Sequence, residues 1–356
     1  MIKISLCMIV KNEEKTLSRC LNSIKNVVDE IIIVDTGSTD NTIEIAQKFT
    51  ENIYNFKWCH DFSIARNFAF SKANCEYQMW LDADDIFPEK YIEEMINLKK
   101  FINKETDIVT MKYITDFDEK ENPNLIVTRE RIFKKEKNYK WIDPVHELIP
   151  LEGNIFHSDI YIHHKKEKID IKSRRNIEIY ENIEKQRISF TLRQMYYYAR
   201  ELQNHEEWIK SAYYFEKFIN SNLGWYEDII MAIFNLSMIY EILNEKEKIL
   251  EVLIKSFMWD SPRAEICCRI GHYFKDIIND YNTAIKWFKL ATKVEDKDIL
   301  SFKLIDYYGY IPNIEICVCY YKLGDIEKAK EYNEKAASFK ITEEIEQNRK
   351  ILNKIS

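Results

Sequence analysis

The sequence predicts an α/β domain with an antiparallel extension, followed by an all-α domain of helical hairpins. Three observations support this. Short apolar runs first alternate with amphipathic helical segments, strand-like segments joined by polar turns come next, and the second half has a purely helical period. Regular strand–helix alternation indicates a parallel sheet covered by helices on both faces. We place the α/β domain at 1–168 and the helical domain at 169–356.

The first half contains four predicted strands and three predicted helices. The run 2–10 is nearly all apolar, which is typical of a strand buried on both faces. After it, Leu17, Cys20, Leu21 and Ile24 recur at helical spacing. The predicted strands are 2–10, 30–35, 52–56 and 77–82, and the predicted helices are 12–25, 39–49 and 62–73. The second helix is opened by capping residues.

The pattern of apolar and polar residues changes after residue 105. Three segments, 107–117, 124–133 and 154–164, look like strands separated by polar turns. They predict the antiparallel extension of the sheet.

The helical half carries a degenerate repeat. The segments 212–219, 249–257, 284–292 and 329–337 share one apolar pattern, with starts 37, 35 and 45 residues apart. They resemble tetratricopeptide hairpins, which repeat every ~34 residues. Such hairpins stack into a solenoid whose concave surface can hold a peptide. An all-α packing domain without a ligand is the alternative.

Composition excludes several classes of function. The formal charge is −7 and neither half is strongly basic, so we expect no nucleic-acid partner. No stretch approaches the ~20 apolar residues of a membrane span, and the N-terminus lacks a signal peptide's apolar core. The eight cysteines form no CxxC pair, which favours buried reduced thiols. We expect a cytoplasmic protein.

Three carboxylates lie within four positions of the segment MWLDADDIF, which ends the fourth predicted strand: Asp82, Asp84 and Asp85. Like charges this close repel one another unless a cation offsets them. The Asp82-x-Asp84 spacing suits Mg²⁺ or Mn²⁺, which bind few carboxylates and complete their shell with water and substrate phosphate. A calcium loop would need glycine where Phe87 stands. The further acidic and lysine motifs of a phosphatase with Asp-x-Asp are not found.

Other polar side chains follow neighbouring predicted strands. Asn12 and Glu13 come after the first strand, and Asp35 ends the second. Ligands of open parallel sheets bind beyond the carboxyl ends of the strands. Asp35 could bind a base or ribose, or serve only the turn and cap after it. Arg66 could reach a phosphate bidentately, or form a surface ion pair with Asp61.

The motifs CMIVKNEEKTLSRCLNSI, EIIIVDTGSTDNT, DFSIARN and WLDADD, in this order, resemble family 2 glycosyltransferases of the GT-A fold. These are inverting enzymes that use nucleotide-sugar donors. The later segments RIFKKEKNYKWIDPVHELI and IYIHHKKEK resemble a subgroup that includes bacterial enzymes glycosylating peptides and proteins. The resemblance covers 1 to about 165 and, more loosely, the helical half.

The resemblance implies a role for each matching residue. It implies a UDP-linked hexose or N-acetylhexosamine as donor, Mn²⁺ or Mg²⁺ as cofactor, and a peptide, protein or glycan as acceptor. The implied donor contacts are Asn12, Glu13, Asp35, Arg66 and Asp82, and the implied metal ligands are Asp84 and His164, with His163 as the alternative. The subgroup usually has a small-residue turn after that histidine, whereas Lys165 and Lys166 follow here. The choice between the two histidines therefore stays open.

Inverting transfer also needs a carboxylate that removes the acceptor proton. Glu147 in DPVHEL is the candidate base and Asp143 the second choice. A structural role, in which His146 and Glu147 pin their loop, is the alternative. At the level of the chain, the alternatives are a catalytically silent helical-repeat scaffold on a glycosyltransferase relic and a nucleotidyltransferase. The latter would need a glycine-rich loop after the first strand, where MIVKNEEKTL has none.

Overall fold

The computed structural model describes residues 1–102, 105–118, 121–165, 173–295 and 303–354. The chain forms two compact units, Met1–Arg187 and Ile188–Ser356. The predicted boundary between residues 168 and 169 lies outside the described residues.

The first unit combines a mixed sheet with α-helices. Its strands are β1 (Ile4–Val10), β2 (Glu30–Asp35), β3 (Ile53–Asn55), β4 (Tyr77–Trp80), β5 (Asp85–Ile86), β6 (Ile108–Phe117), β7 (Pro123–Lys134) and β8 (Ile155–His164). Its helices are α1 (Leu17–Ile24), α2 (Thr42–Ala46), α3 (Phe62–Ser71), α4 (Ile92–Phe101) and α5 (Arg175–Lys185). The predicted fold class is confirmed.

The strand order is β3-β2-β1-β4-β7-β6-β8-β5. The strands β3, β2, β1 and β4 are parallel, so their carboxyl ends share one edge of the sheet. Strand β7 runs antiparallel to β4 and β6. Strand β8 is parallel to β6 and antiparallel to β5. The last pairing returns β8 to the edge where β4 ends.

Helix α1 begins five residues later than its sequence predicts. Asn12 takes a left-handed conformation with φ 56°, and the chain turns through Glu13–Thr16 before helical bonding starts. The predicted core face is confirmed, because Leu17, Cys20, Leu21 and Ile24 are all buried.

An aromatic cluster lies below the carboxyl edge of the sheet. Trp80 of β4 packs edge-on against Trp141 at 5.3 Å between ring centroids, and Phe70 and Phe133 contact the same ring. Burying side chains of this size stabilises the fold by about 1.5–3 kcal/mol each. It also gives the edge a rigid floor.

In the part that the structure describes, the regular elements of the second unit are helices and one two-residue strand. Its elements are α6 (Leu192–Asn204), α7 (Trp208–Ser221), α8 (Tyr226–Ile242), α9 (Lys246–Lys255), α10 (Ala264–His272), α11 (Tyr281–Ala291), β9 (Lys303–Leu304), α12 (Tyr310–Lys322), α13 (Ile326–Ala337) and α14 (Glu343–Lys354). Successive helices from α6 to α13 pack as hairpins. The four predicted repeat segments fall on α7, α9, α11 and α13.

The long spacing before the last repeat has a structural cause. Helix α11 ends at Ala291 and α12 begins only at Tyr310. Within this connection, the turn Ile305–Tyr308 places Tyr307 edge-on against Phe234 of α8 at 5.6 Å. The described end of this connection therefore packs within the helical unit, and the connection lengthens one repeat. Among the described residues, no helix is both long and apolar enough to cross a membrane.

Candidate functional site

The acidic segment forms a tight turn at the end of β4. The backbone N–H of Asp82 donates to Asp85 Oδ2 at 3.0 Å, and the N–H of Asp85 donates to the Asp82 carbonyl at 3.0 Å. Strand β5 then pairs with β8 so that Asp85 lies opposite His164. The turn and the pairing send the three carboxylates to three different partners.

Asp82 shares a buried arginine with Glu147. Arg66 Nη2 lies 2.7 Å from Asp82 Oδ1, and Arg66 Nε lies 2.5 Å from Glu147 Oε1. The guanidinium sits 4.8 Å from the Trp80 ring and 5.0 Å from the Trp141 ring. Burial opposes ionisation of Asp82, but the charge and hydrogen bond of Arg66 outweigh it and hold its pKa well below the ordinary value.

Arg66 is therefore not a surface residue paired with Asp61. Asp61 instead caps α3, accepting from the backbone N–H of Ile64 at 3.1 Å and from Ser63 Oγ at 2.6 Å. The alternative of a surface ion pair is wrong, because the buried face of α3 carries Arg66, in the second turn of the helix, inward against Trp80 and Trp141.

Glu147 reaches Arg66 because its loop is fixed to α3. The Asn67 side chain donates to the Trp141 carbonyl and accepts from the Trp141 N–H, both at 2.9 Å. Ile142 and Leu148 form an antiparallel bridge that closes the loop. Asp143 and His146, inside the closure, have left-handed φ values of 70° and 54°. The structure thus brings Glu147 to the site and leaves Asp143 in the same loop.

Asp85 is fully buried and belongs to a second arginine. Arg131 Nη1 of β7 lies 3.2 Å from Asp85 Oδ2. The other oxygen, Oδ1, accepts from Tyr113 Oη at 2.7 Å and lies 3.1 Å from His164 Nδ1. Among the described residues, the ion pairs of Arg66 and Arg131 involve Asp82, Glu147 and Asp85 but not Asp84.

Asp84 and His164 face each other. Asp84 Oδ1 lies 3.3 Å from His164 Nδ1. Burial, together with the negative charges of Asp82 and Asp85, raises the pKa of Asp84 from 3.8 to about 6 despite His164. Burial lowers the pKa of His164, but the hydrogen bond to Asp85 and the acidic neighbours raise it overall. Asp84, Asp85 and His164 each offer a ligand atom within 4.8 Å of the others, so this group could hold a metal ion.

His163 points elsewhere, as the alternation of a strand requires. Its ring contacts Phe117 at 5.3 Å, and burial together with Lys165 lowers its pKa. Lys165 donates its backbone N–H to the Asp84 carbonyl at 3.0 Å, and its ammonium pairs with Glu121. Lys166 lies outside the described residues.

Asn12, Glu13 and Asp35 shape the loops after β1 and β2. Asn12 Oδ1 accepts from the Thr39 N–H at 2.8 Å. Asp35 accepts from the N–H groups of Gly37 and Ser38, each at 3.1 Å. Glu13 Oε2 accepts from Thr16 Oγ1 at 2.6 Å, and burial raises the pKa of its carboxyl. These side chains fix the loop backbone at the edge where Asp84 lies.

A cleft of about 1000 Å³ opens at the other end of the sheet, where the strands begin. It is lined by a mixture of acids and lysines, including Lys3, Asp29, Glu30, Lys48 and Glu76. None of the predicted site residues lines it. Its volume is therefore no argument against the strand-end site, where the chemical groups converge.

Sequence reasoning missed Arg131 and Tyr113. Both lie in strands of the extension: Arg131 begins the segment RIFKKEKNYKWIDPVHELI but had no role assigned to it, and Tyr113 belongs to none of the quoted motifs. One signal was available: an arginine inside an otherwise apolar strand needs a buried carboxylate partner, and the third aspartate of the acidic segment had no assigned role.

Comparisons with known proteins bear on both units. The family profile described as glycosyl transferase family 2 matches residues 5–152, and a tetratricopeptide repeat profile matches residues 318–340. A TPR repeat-containing protein of Synechococcus elongatus is 33% identical over 150 residues, covering 42% of this chain and 36% of that protein. The SPbeta prophage-derived glycosyltransferase SunS of Bacillus subtilis is 30% identical over 191 residues, covering 49% and 44%. The chain spans less than half the length of these curated relatives.

Solved structures align more weakly. Glucosyl-3-phosphoglycerate synthase from Mycobacterium tuberculosis, in complex with Mn²⁺ and UDP-glucose, gives a TM-score of 0.37 at 14% identity, covering 53% of this chain and 81% of that chain. TarS of S. aureus gives 0.40 at 13% identity, covering 70% and 55%. Alignments of this size carry no inference about ligands.

The two profile matches agree with the two kinds of architecture. The first covers β1 to β7 with Asp84 and Glu147 and ends before β8 and His164, and the second falls on the hairpin of α12 and α13. Residues 5–152 therefore form a family 2 glycosyltransferase domain of GT-A-like fold, and a helical region with a tetratricopeptide repeat follows it in the same chain.

Proposed function

We propose that this chain is a metal-dependent inverting glycosyltransferase that moves a hexose or N-acetylhexosamine from a UDP-sugar to a peptide, protein or glycan acceptor. One observation carries the proposal. Of the three crowded carboxylates, Asp82 is paired with Arg66 and Asp85 with Arg131, which leaves Asp84 and His164 to receive an external cation.

The chemistry of the metal-binding side chains favours one metal. Carboxylates suit Mg²⁺ and Mn²⁺ alike, whereas an imidazole nitrogen suits transition metals. Asp84 and His164 together therefore fit Mn²⁺ better than Mg²⁺. When bound, such an ion offsets the negative charge on a departing nucleoside diphosphate.

Arg66 supports a donor contact beside this pair. Its Nη1 is buried and has no hydrogen-bond partner among the described residues. A buried guanidinium N–H without an acceptor is costly. An oxygen of the donor is a suitable acceptor, because arginine binds diphosphates and carboxylates through its planar fork. On this proposal Asp82 lies near the ribose, and Asn12, Glu13 and Asp35 hold the loops that face the nucleotide.

Glu147 is proposed as the general base. Arg66 Nε contacts Glu147 Oε1 at 2.5 Å, which fixes the direction of the carboxylate. A carboxylate positioned in this way can remove the acceptor proton in the transition state, as the nucleophile attacks the anomeric carbon. Asp143, in the same loop, is the second choice.

The helical unit is proposed to hold the acceptor. Arrays of helical hairpins present extended surfaces suited to peptides, and one of the relatives is named for its TPR repeats. The competing function is a silent scaffold on a glycosyltransferase relic. A relic would not require two carboxylates to converge on one buried arginine beside an Asp–His pair that neither buried arginine contacts.

Glu147→Gln tests the proposal. The purified chain is incubated with a panel of UDP-sugars and Mn²⁺, and sugar transfer and donor hydrolysis are measured with and without EDTA. We expect chelation to abolish both, and Glu147→Gln to lower turnover about 10²–10⁴-fold, the usual contribution of a general base. Binding of UDP, measured by thermal shift, should be retained.

Glu152→Gln is the matched control, because Glu152 is an exposed carboxylate shortly after the same loop. It should leave turnover unchanged. Full turnover by Glu147→Gln would remove Glu147 from the mechanism. Absence of any EDTA-sensitive reaction of the wild type with every sugar tested would favour the silent scaffold.

A further inference from the structure

Among the described residues of the first unit, Arg131 is the most deeply buried cation. Its side chain has no solvent exposure, and Nη1 contacts Asp85 Oδ2 at 3.2 Å and the Trp80 carbonyl at 3.4 Å. The guanidinium carbon lies 3.8 Å from the Trp80 ring centroid and 4.2 Å from that of Tyr113. Both rings present their faces to the cation, which is a favourable arrangement.

Burying this ion pair in the core costs free energy. Among the described residues, Nε and Nη2 of Arg131 are buried without a hydrogen-bond acceptor. Replacing a buried ion pair by apolar residues of similar volume is often neutral or stabilising. Packing alone therefore gives no reason for an arginine at this position.

The hydrogen bonds of Asp85 show what the pair controls. Arg131 holds Oδ2, so Oδ1 is the oxygen that meets both Tyr113 Oη at 2.7 Å and His164 Nδ1 at 3.1 Å. Tyr113 Oη also lies 2.7 Å from His164 Nδ1. Asp84 Oδ1 lies 3.3 Å from the same ring nitrogen, so Nδ1 faces three oxygen atoms.

Counting protons assigns the tautomer. A tyrosine hydroxyl has one proton, and Tyr113 uses it in donating to Asp85 Oδ1. The contact between Tyr113 Oη and His164 Nδ1 is then favourable only if Nδ1 carries the proton. In the neutral ring, the lone pair is left on Nε2. Metal-binding histidines usually donate their other N–H to a carboxylate, which fixes the tautomer and the ring orientation.

We propose that Arg131 is a positioning residue for metal binding: it fixes Asp85, and through Asp85 and Tyr113 it orients His164 so that Nε2 is free for the ion. Asp85 then orients the ligand rather than serving as one. The inference rests on the proposed function, since it assumes that Asp84 and His164 bind Mn²⁺.

The test compares three variants with two controls. Arg131→Met removes the cation, Asp85→Asn removes the charge it meets, and Tyr113→Phe removes only the bridging hydroxyl. Lys99→Met is the control for lost stability. Lys99 is a buried cation that lies away from the site, and its Nζ is 2.7 Å from Asp29 Oδ2. Arg129→Met is the control for position, because Arg129 lies on the same strand 5.1 Å from the Trp80 ring.

Two quantities are measured on each protein: the Mn²⁺ dissociation constant by calorimetry, and the coupling of a histidine nitrogen to bound Mn²⁺ by pulsed electron paramagnetic resonance. We expect Tyr113→Phe and Arg131→Met to weaken Mn²⁺ binding about 10–100-fold, as lost outer partners of metal ligands do. We also expect the nitrogen coupling to weaken or vanish. Lys99→Met should unfold at a lower temperature yet bind Mn²⁺ normally with the coupling intact.

Wild-type affinity and nitrogen coupling in Tyr113→Phe and Asp85→Asn would overturn the inference, even if Arg131→Met failed to fold. That result would leave the proposed function standing. If the wild type bound no Mn²⁺, the metal-dependent function and this inference would both be wrong. Equal weakening of Mn²⁺ binding in Lys99→Met would show a general effect of lost stability, which also contradicts a positioning role.

Discussion

Each compact unit contains an aspartate, partly buried in the first unit and buried in the second, whose pKa is raised from 3.8 to about 6. Asp84 follows β4 in the first unit, and Asp228 lies in the first turn of α8 in the second. In both cases burial is the largest cause of the raised pKa. By this measure alone, the two residues are equivalent candidates for function.

Their surroundings differ. Around Asp84, the carboxylates of Asp82, Asp85 and Glu13 add negative charge, and His164 is the cationic neighbour. Around Asp228, Arg193 and Arg200 supply positive charge and Glu227 opposes it. The first site collects negative charge that an ion can offset, whereas the second already contains its cations. A perturbed pKa indicates a functional site only where the neighbouring groups leave the local charge unbalanced.

The largest expected effect separates these two aspartates by activity. Asp84→Asn should lower Mn²⁺-dependent sugar transfer by about 10³-fold, which corresponds to ~4 kcal/mol of activation free energy. Asp228→Asn should leave transfer within twofold of the wild type. Steady-state turnover with the preferred UDP-sugar measures both.

A binding measurement completes this comparison. Mn²⁺ at 100 times its dissociation constant should stabilise the wild type and Asp228→Asn by about 2.7 kcal/mol, and should not stabilise Asp84→Asn. Equal activity losses in the two variants would break the distinction between the units.

Much of the site could be predicted, because the order and direction of the strands determine which residues lie at one edge of the sheet. Asn12, Asp35 and Asp84 follow parallel strands, and the carboxyl ends of parallel strands share an edge. The helical repeat could also be predicted from the sequence, because its period does not depend on contacts between distant residues.

The rest depends on register. Which of His163 and His164 meets Asp84 follows from the β5–β8 pairing, in which a shift of one residue exchanges the two faces. The Arg131–Asp85 pair joins residues 46 positions apart on strands that are not neighbours in the sheet. No local pattern encodes that contact.

The second expected effect compares buried arginines in the two units. Arg66→Met should destabilise the chain by about 3–5 kcal/mol, because it leaves Asp82 and Glu147 without their cation. Arg263 of the helical unit contacts Asp260 at 3.0 Å and Glu227 at 3.7 Å. Its replacement by methionine should cost about 1.5–3 kcal/mol, since Asp260 is partly solvated. Chemical denaturation measures both losses.

UDP binding distinguishes the two arginines further. Arg263→Met should keep the thermal shift caused by UDP, whereas Arg66→Met should lose it. Adding Asp82→Asn and Glu147→Gln to Arg66→Met should restore part of the stability but none of the UDP binding. Restored binding in that triple variant would show that Arg66 serves the fold and not the donor.

The smallest effect concerns stability against pH in the helical unit. Because the folded pKa of Asp228, about 6, is above the unfolded value of 3.8, the folded state holds this proton more tightly. The resulting stability is fully present below 3.8 and is lost as pH rises through 6. The loss is at most about 3 kcal/mol. Asp228→Asn should therefore stabilise the unit at pH 7.5 and flatten this decline.

Asp280 supplies a control of opposite sign. It caps α11, and the hydroxyl and N–H of Thr283 lower the pKa of its carboxyl. Its contribution is present above the unfolded pKa and is lost as pH falls, so Asp280→Asn should weaken the unit most at neutral pH. Unfolding temperatures at pH 4.5, 6 and 7.5 for both variants test the pair. If Asp228→Asn followed the wild-type pH profile, the raised pKa would be wrong, and the likeness between the two aspartates would disappear with it.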